Sequence, residues 1–182
     1  MSEIDLNTRS LTHPVWDVYD DYRSSRLSEE YALIRLDALE KTNFSIEIFA
    51  AISAPTSVFA SWGIWKTNPG SQLWQAIAAI AFIIGISRQL WKIPTKIKDY
   101  EKHLTETRIV ANEFESLVRK INQNQKYEAD EKTEYSRIIK MRSDHQISAP
   151  KERINHKLRR KIQSQINKEL PAKQFFVPTR SN

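Results

Sequence analysis

Ser53, Thr56, Ser57 and Ser61 bring hydroxyls into a mainly apolar stretch. Glu47 and Arg88 stand at the same, inner ends of the two arms of the surrounding block, at depths that would let them pair or form a charged ring at an inner mouth. The chemistry such a set performs is permeation, not bond-making: hydroxyls replace water around a moving ion, and a charged ring at a pore mouth selects it. The serines recur every four residues beside Ala50, Ala54 and Ala60, with Pro55 among them. Small residues at that spacing also let helices approach closely, and a proline frees a backbone carbonyl that a neighbour can satisfy. The plainer alternative is therefore a packing seam, with Arg88 reaching to headgroups and Glu47 at the water interface. One hairpin cannot enclose a pore, so permeation requires a homo-oligomer.

No other combination of residues amounts to an active site. The chain has four histidines, His13, His103, His145 and His156, no two of them at the i, i+4 spacing of a helical metal site. Ser143, Asp144 and His145 are triad residue types, but adjacency in sequence does not make a triad. With three glycines in all there is no phosphate-cradling loop, and with no cysteine there is neither a disulfide nor a thiolate metal site. The expectation is a protein that is not an enzyme and carries no cofactor or metal.

The elements that would position the hydroxyls form a central apolar block. Between Ile48 and Trp91 only Lys66 and Arg88 are charged, and Gly63, Gly70 and Gly85 all fall inside it. Asn68-Pro69-Gly70 is a turn signal, because proline presets φ and glycine supplies a positive one. The arms on either side, Ile48 to Trp65 and Leu73 to Trp91, would each extend about 27–28 Å as helices, close to the thickness of a bilayer core. Trp62, Trp65 and Trp74 flank the turn, while Trp91 and Phe44 lie at the opposite end, in the manner of interfacial aromatic belts. A soluble hairpin with tryptophans in its core is the competing possibility, but Ile77 to Ile86 is apolar all round and not striped. Lys92, Lys96, Lys98 and Lys102 follow the second arm against one lysine in the turn, which places both termini in the cytoplasm. The first residues show no basic-then-apolar leader, so no cleaved signal peptide is expected.

The glycine-free flanks read as long helices. The first opens at Thr12 and Pro14 and presents Leu27, Tyr31, Ile34 and Ala38. Past the block, Ile93, Ile97, Tyr100, Leu104, Thr107, Ala111, Phe114, Val118 and Ile121 alternate steps of four and three, a coiled-coil seam running directly out of the second span. Its partner is another copy, the N-terminal helix, or both. Asn122 to Asn124 and the acidic patch from Glu128 to Glu131 break the seam, and a shorter helix covers Lys132 to Met141. A last helix is expected to start with Ser148 as cap, Pro150 in the first turn and Glu152 near the dipole, with Ile154, Leu158, Ile162, Ile166 and Leu170 on one side and Pro171 as its stop. Lys151, Arg153, Lys157, Arg159, Arg160 and Lys161 crowd its other surfaces, which suits anionic lipid, nucleic acid phosphates, or only water around a packing helix. Nucleic acid is the less favoured partner. The tail carries Phe175 and Phe176 as an anchor and is otherwise expected to be unstructured. Residues 1–45 carry five basic and nine acidic side chains and residues 92–182 carry 21 and 12, so the two regions attract one another.

The expected fold is all-α: an N-terminal amphipathic helix over 1–45, a transmembrane hairpin over 46–91 with spans at about 46–65 and 73–91 and an outer turn at 66–72, cytoplasmic coiled-coil helices over 92–147, and a basic amphipathic helix with its tail over 148–182. That layout, with "VWDVYDDYRSSRLSEEYALIRLDALEK" before the hairpin, "KIPTKIKDYEKHL" after it and "INKELP" near the close, resembles the SLATT proteins, bacterial two-transmembrane effectors. The resemblance covers most of the chain and transfers no motif residue. It implies an inner-membrane effector of an antiphage, abortive-infection system that oligomerises and permeabilises or depolarises the membrane. It also implies a sensor in trans, such as a nucleotide-signal or reverse-transcriptase component. The contrasting expectation is a membrane-anchored scaffold whose cytoplasmic helices recruit a protein or nucleic acid.

Overall fold

The computed structural model describes residues 13–53, 92–146, 149–150 and 152–178, together with Gln72, Ala76, Ala79, Ile80 and Ile83. Four α-helices occur among them: α1 (Val15–Ser53), α2 (Ile93–Asn124), α3 (Ala129–Gln146) and α4 (His156–Glu169), followed by a 3-10 turn at Ala172–Gln174. No strand is present among the described residues, so the all-α expectation holds. None of the helices among them is long and apolar enough to cross a membrane. Most of the expected hairpin, including its turn, lies outside the described residues.

The chain divides into two units, one of residues 1–34 and 100–182, the other of residues 35–99. In the first unit α1 and α2 run antiparallel, Glu29 meeting Arg108 while Tyr19 and Asn122 are bridged by Phe176. Their facing sides supply the core: Val15, Val18, Tyr19 and Tyr22 from α1, and Val110, Phe114, Leu117, Val118 and Ile121 from α2, closed by Ile138 of α3 and by Phe175. The α2 seam is thus covered by the chain's own helices, with Tyr100, Leu104, Ala111, Phe114, Val118 and Ile121 buried. Ile97, in the second unit, is only half-buried.

On α1 the buried stripe differs from the expected one. Val15, Val18, Tyr22, Ser25, Glu29, Ala32 and Leu36 follow alternating steps of three and four, whereas Ile34 and Ala38 are exposed. Of the expected set only Leu27 is buried, against Ile162 and Ile166, with Tyr31 beside them. Glu29 is tolerated inside because Arg26 donates to one carboxylate oxygen at 2.6 Å and Arg108 to the other at 3.1 Å; a buried charge without such partners would be expelled or neutralised. α1 also runs unbroken past residue 45, with no boundary between amphipathic helix and first arm.

The helix ends explain other departures. α1 starts at Val15, whose N–H donates to His13 Nδ1 at 3.2 Å, so a histidine does the work expected of Thr12, which is outside the described residues. Lys92 has a φ of 48°, in the left-handed region, so no continuous α-helix passes through it and α2 begins afresh at Ile93, with Pro94 in its first turn. The third helix is longer than expected because it starts at Ala129: Glu131 reaches back to accept from the Glu128 N–H at 2.9 Å, one half of a capping box. That bond holds the Glu131 carboxyl below its ordinary range. α4 starts at His156, later than expected, capped by the Asn155 side chain accepting from the Leu158 N–H at 3.1 Å. Glu152 instead accepts from the Tyr100 hydroxyl at 3.1 Å, and Ile154 is exposed. Ser148 lies outside the described residues.

Nor is the tail unstructured as far as residue 178. Phe175 stacks on Tyr19 with ring centroids 4.3 Å apart, and the Arg23 guanidinium sits 5.0 Å from the Phe175 ring centre. Arg23 also donates twice to the Leu170 carbonyl, at 3.1 and 2.8 Å, and the Tyr19 hydroxyl donates to the Phe176 carbonyl at 2.6 Å.

Candidate functional site

Of the expected permeation set, Thr56, Ser57, Ser61 and Arg88 lie outside the described residues, as does the Ser53 side chain at the end of α1. Glu47 is exposed on α1 and accepts from Asn43 Nδ2 at 3.0 Å. What the second unit does display is apolar surface. Phe44 and Ile83 are each 62% exposed, Ile80 51% and Ile48 44%.

The basic helix is placed more fully. Ile162 and Ile166 are buried and Leu158 is partly so, all facing Leu27 and Tyr31 of α1. The apolar side of α4 is therefore occupied by its own chain and is not offered to lipid. Lys157, Arg159, Arg160 and Lys161 are exposed, Arg153 lies in the extended segment before the helix, and Lys151 is outside the described residues.

The first unit holds a cavity that periodicity did not single out, its surface mostly apolar, with Val110 in the wall, and carrying a few polar groups. It has a volume of about 90 Å³ and lies where α1, α2 and α3 meet, lined chiefly by Ser25, Ser28, His103, Thr107, Arg142 and His145. Ser25 occupies a core position of the α1 stripe, is 4% exposed, and its Oγ has no hydrogen-bond partner; His103 Nδ1 is likewise buried and unpartnered. Burial holds the His103 imidazole below the ordinary histidine range, with Glu106 pulling weakly the other way. Ser28 and Thr107 have already committed their hydroxyl hydrogens, to the carbonyls of Ser24 at 3.0 Å and His103 at 2.9 Å, so their oxygens can only accept. Arg142 pairs with Asp21 at 2.6 Å, and the other Asp21 oxygen accepts from Tyr135 at 2.7 Å. Burial first, and then Asp21, push the Tyr135 phenol well above its ordinary range.

A signal for this cavity exists in the sequence: Ser24, Ser25 and Ser28 crowd one turn of a helix, although serine competes with helical hydrogen bonding and is a poor interior choice. His103 and His145 invite a metal, but no group of three or more His, Cys, Asp or Glu side chains suited to one exists among the described residues. No protein-family model matches the chain, and searches of curated proteins and of solved structures likewise found no match.

Proposed function

We propose that the chain is an inner-membrane effector that oligomerises through its hairpin and permeabilises or depolarises the membrane when a partner triggers it, in the antiphage setting that the SLATT resemblance implies. The observation that carries this is the exposure of Phe44, Ile48, Ile80 and Ile83 in the second unit. Large apolar side chains left in contact with water are costly, and several together mark a surface meant for lipid or for other protein. The lengths of the two arms and the tryptophan placement agree with lipid. In this role the Ser53, Thr56, Ser57 and Ser61 face and the charges of Glu47 and Arg88 govern permeation. α1 and α2 each contribute residues to both units, so a change in how they pack in one is covalently connected to the other.

The test is membrane potential in bacteria expressing the protein with its natural partners and trigger, read with a voltage-sensitive dye. Wild type should depolarise the cells, and Ser57→Leu and Arg88→Leu, checked for equal insertion, should lose most of the effect. An unchanged potential with wild type would exclude the effector role. A second role, a membrane-anchored scaffold, is favoured by the exposed basic face of α4. Replacing the hairpin with an unrelated anchor separates the two, since a scaffold keeps its activity and an effector does not.

A further inference from the structure

We propose that the cavity between α1, α2 and α3 is a binding site for a phosphate group, either the free ion or the end of a phosphomonoester, held by Ser25, His103 and Arg142.

Three observations converge on a ligand. The first is the cost of the empty arrangement: Ser25 Oγ and His103 Nδ1 are buried without partners, and such groups are rare in native structures unless water or a ligand completes them. The second is space, because a cavity of about 90 Å³ has room for several waters, and so for a compact group of five heavy atoms. The third is the donor set. Arg142, a lining residue whose guanidinium lies 5.9 Å from the Phe114 ring centre, spends one nitrogen on Asp21 and has no other ion-pair partner among the described residues, so N–H groups remain for an oxyanion. Both Asp21 oxygens are taken, by Arg142 and Tyr135, so that carboxylate is already balanced and hydrogen-bonded beside an incoming anion. Ser25 supplies a hydroxyl donor.

The acceptors narrow the class. Thr107 and Ser28 line the cavity and have given their hydroxyl hydrogens to backbone carbonyls, so towards a ligand their oxygens can only accept. A fully ionised oxyanion such as sulfate presents only acceptors and would meet them with repulsion. Inorganic phosphate keeps an O–H through neutrality, and a monoester keeps one at or below its second pKa of about 6, so each can offer acceptor oxygens to Arg142 and Ser25 together with an O–H for Thr107 or Ser28. His103 Nδ1 completes the set in either tautomer, donating to an oxygen or accepting from the P–O–H.

The experiment is isothermal titration calorimetry of the full chain in detergent micelles at about pH 6, where the monoester still carries an O–H, with inorganic phosphate, glycerol phosphate and sulfate at matched ionic strength, on wild type and on Ser25→Ala. Wild type should give saturable binding of at least one of the two phosphates, weakened about tenfold in Ser25→Ala, and none with sulfate. The variant should melt no lower than wild type, because its hydroxyl has no partner to lose. Tighter binding of glycerol phosphate assigns the site to the end of a larger ligand, and tighter binding of the inorganic ion to free phosphate. Absence of saturable binding, equal affinity in Ser25→Ala, or equal affinity for sulfate would overturn the proposal. Binding in micelles needs no membrane potential, so this result and the permeation test stand or fall separately.

Discussion

His103 shows what one misplaced-looking side chain does to the molecule. Its imidazole is half-buried beside Ser25, and burial depresses its affinity for a proton in the folded chain relative to the ordinary value of 6.5. Below that pH the unfolded chain binds a proton that the folded chain resists, so stability rises with pH across the interval between the two values and falls as the solution is acidified through it. Chemical denaturation in detergent at pH 7.5 and 5.5 should therefore show a lower midpoint at 5.5, and His103→Leu should reduce the difference. Glu131 adds a separate loss only at more acidic pH, below its ordinary 4.5, since its pKa is lowered by the bond from the Glu128 N–H. Little of this cavity was legible beforehand. Spacing rules look for ligands in one helix, whereas Ser25, His103 and Arg142 come from three and meet only through tertiary packing. Ser25 also stood at a position where a hydrophobic stripe would be sought, and so hid the stripe as well as the cavity.

Among the elements, α2 was the most legible because its core residues are apolar and evenly spaced. Tyr100, Leu104, Phe114, Val118 and Ile121 could be read without knowing the partner. α1 was the least legible. Its buried face interleaves Tyr22 and Ala32 with Ser25 and Glu29, and the charge of Glu29 is made acceptable by Arg108, 79 residues away. The start of α4 was misplaced because Ser148, Pro150 and Glu152 carry the composition of a helix start, while Asn155 carries the geometry. Ends can also be improved. Gln125 follows α2 with a φ of 49°, a left-handed conformation that favours glycine at the position after a helix. Gln125→Gly should raise the unfolding free energy by up to about 1 kcal/mol, the left-handed penalty partly offset by a more flexible unfolded chain. Urea denaturation followed by circular dichroism would measure it.

For the molecule as a whole, attraction between its acidic beginning and basic remainder is realised in specific pairs, Glu29 with Arg108 and Asp21 with Arg142. The final closure is apolar: Phe175 lies against Tyr19 under the Arg23 guanidinium and joins the main core. Phe175→Ala should cost roughly 3 kcal/mol, and Tyr19→Phe about 1 kcal/mol through the lost bond to the Phe176 carbonyl. Thermal melts would rank the two, and an equal or smaller loss for Phe175→Ala would show that the ring does not complete the core. The Tyr19–Phe176 bond spans 157 residues. During translation at about 5–20 residues per second, the ribosome needs on the order of ten seconds to pass from one partner to the other. Residues 46–91 leave the tunnel within that interval, while α1 still lacks Phe114, Ile138 and Phe175. Synthesis of the central apolar block thus precedes completion of the core, and the buried face of α1 waits for its last partner until the final segment is released.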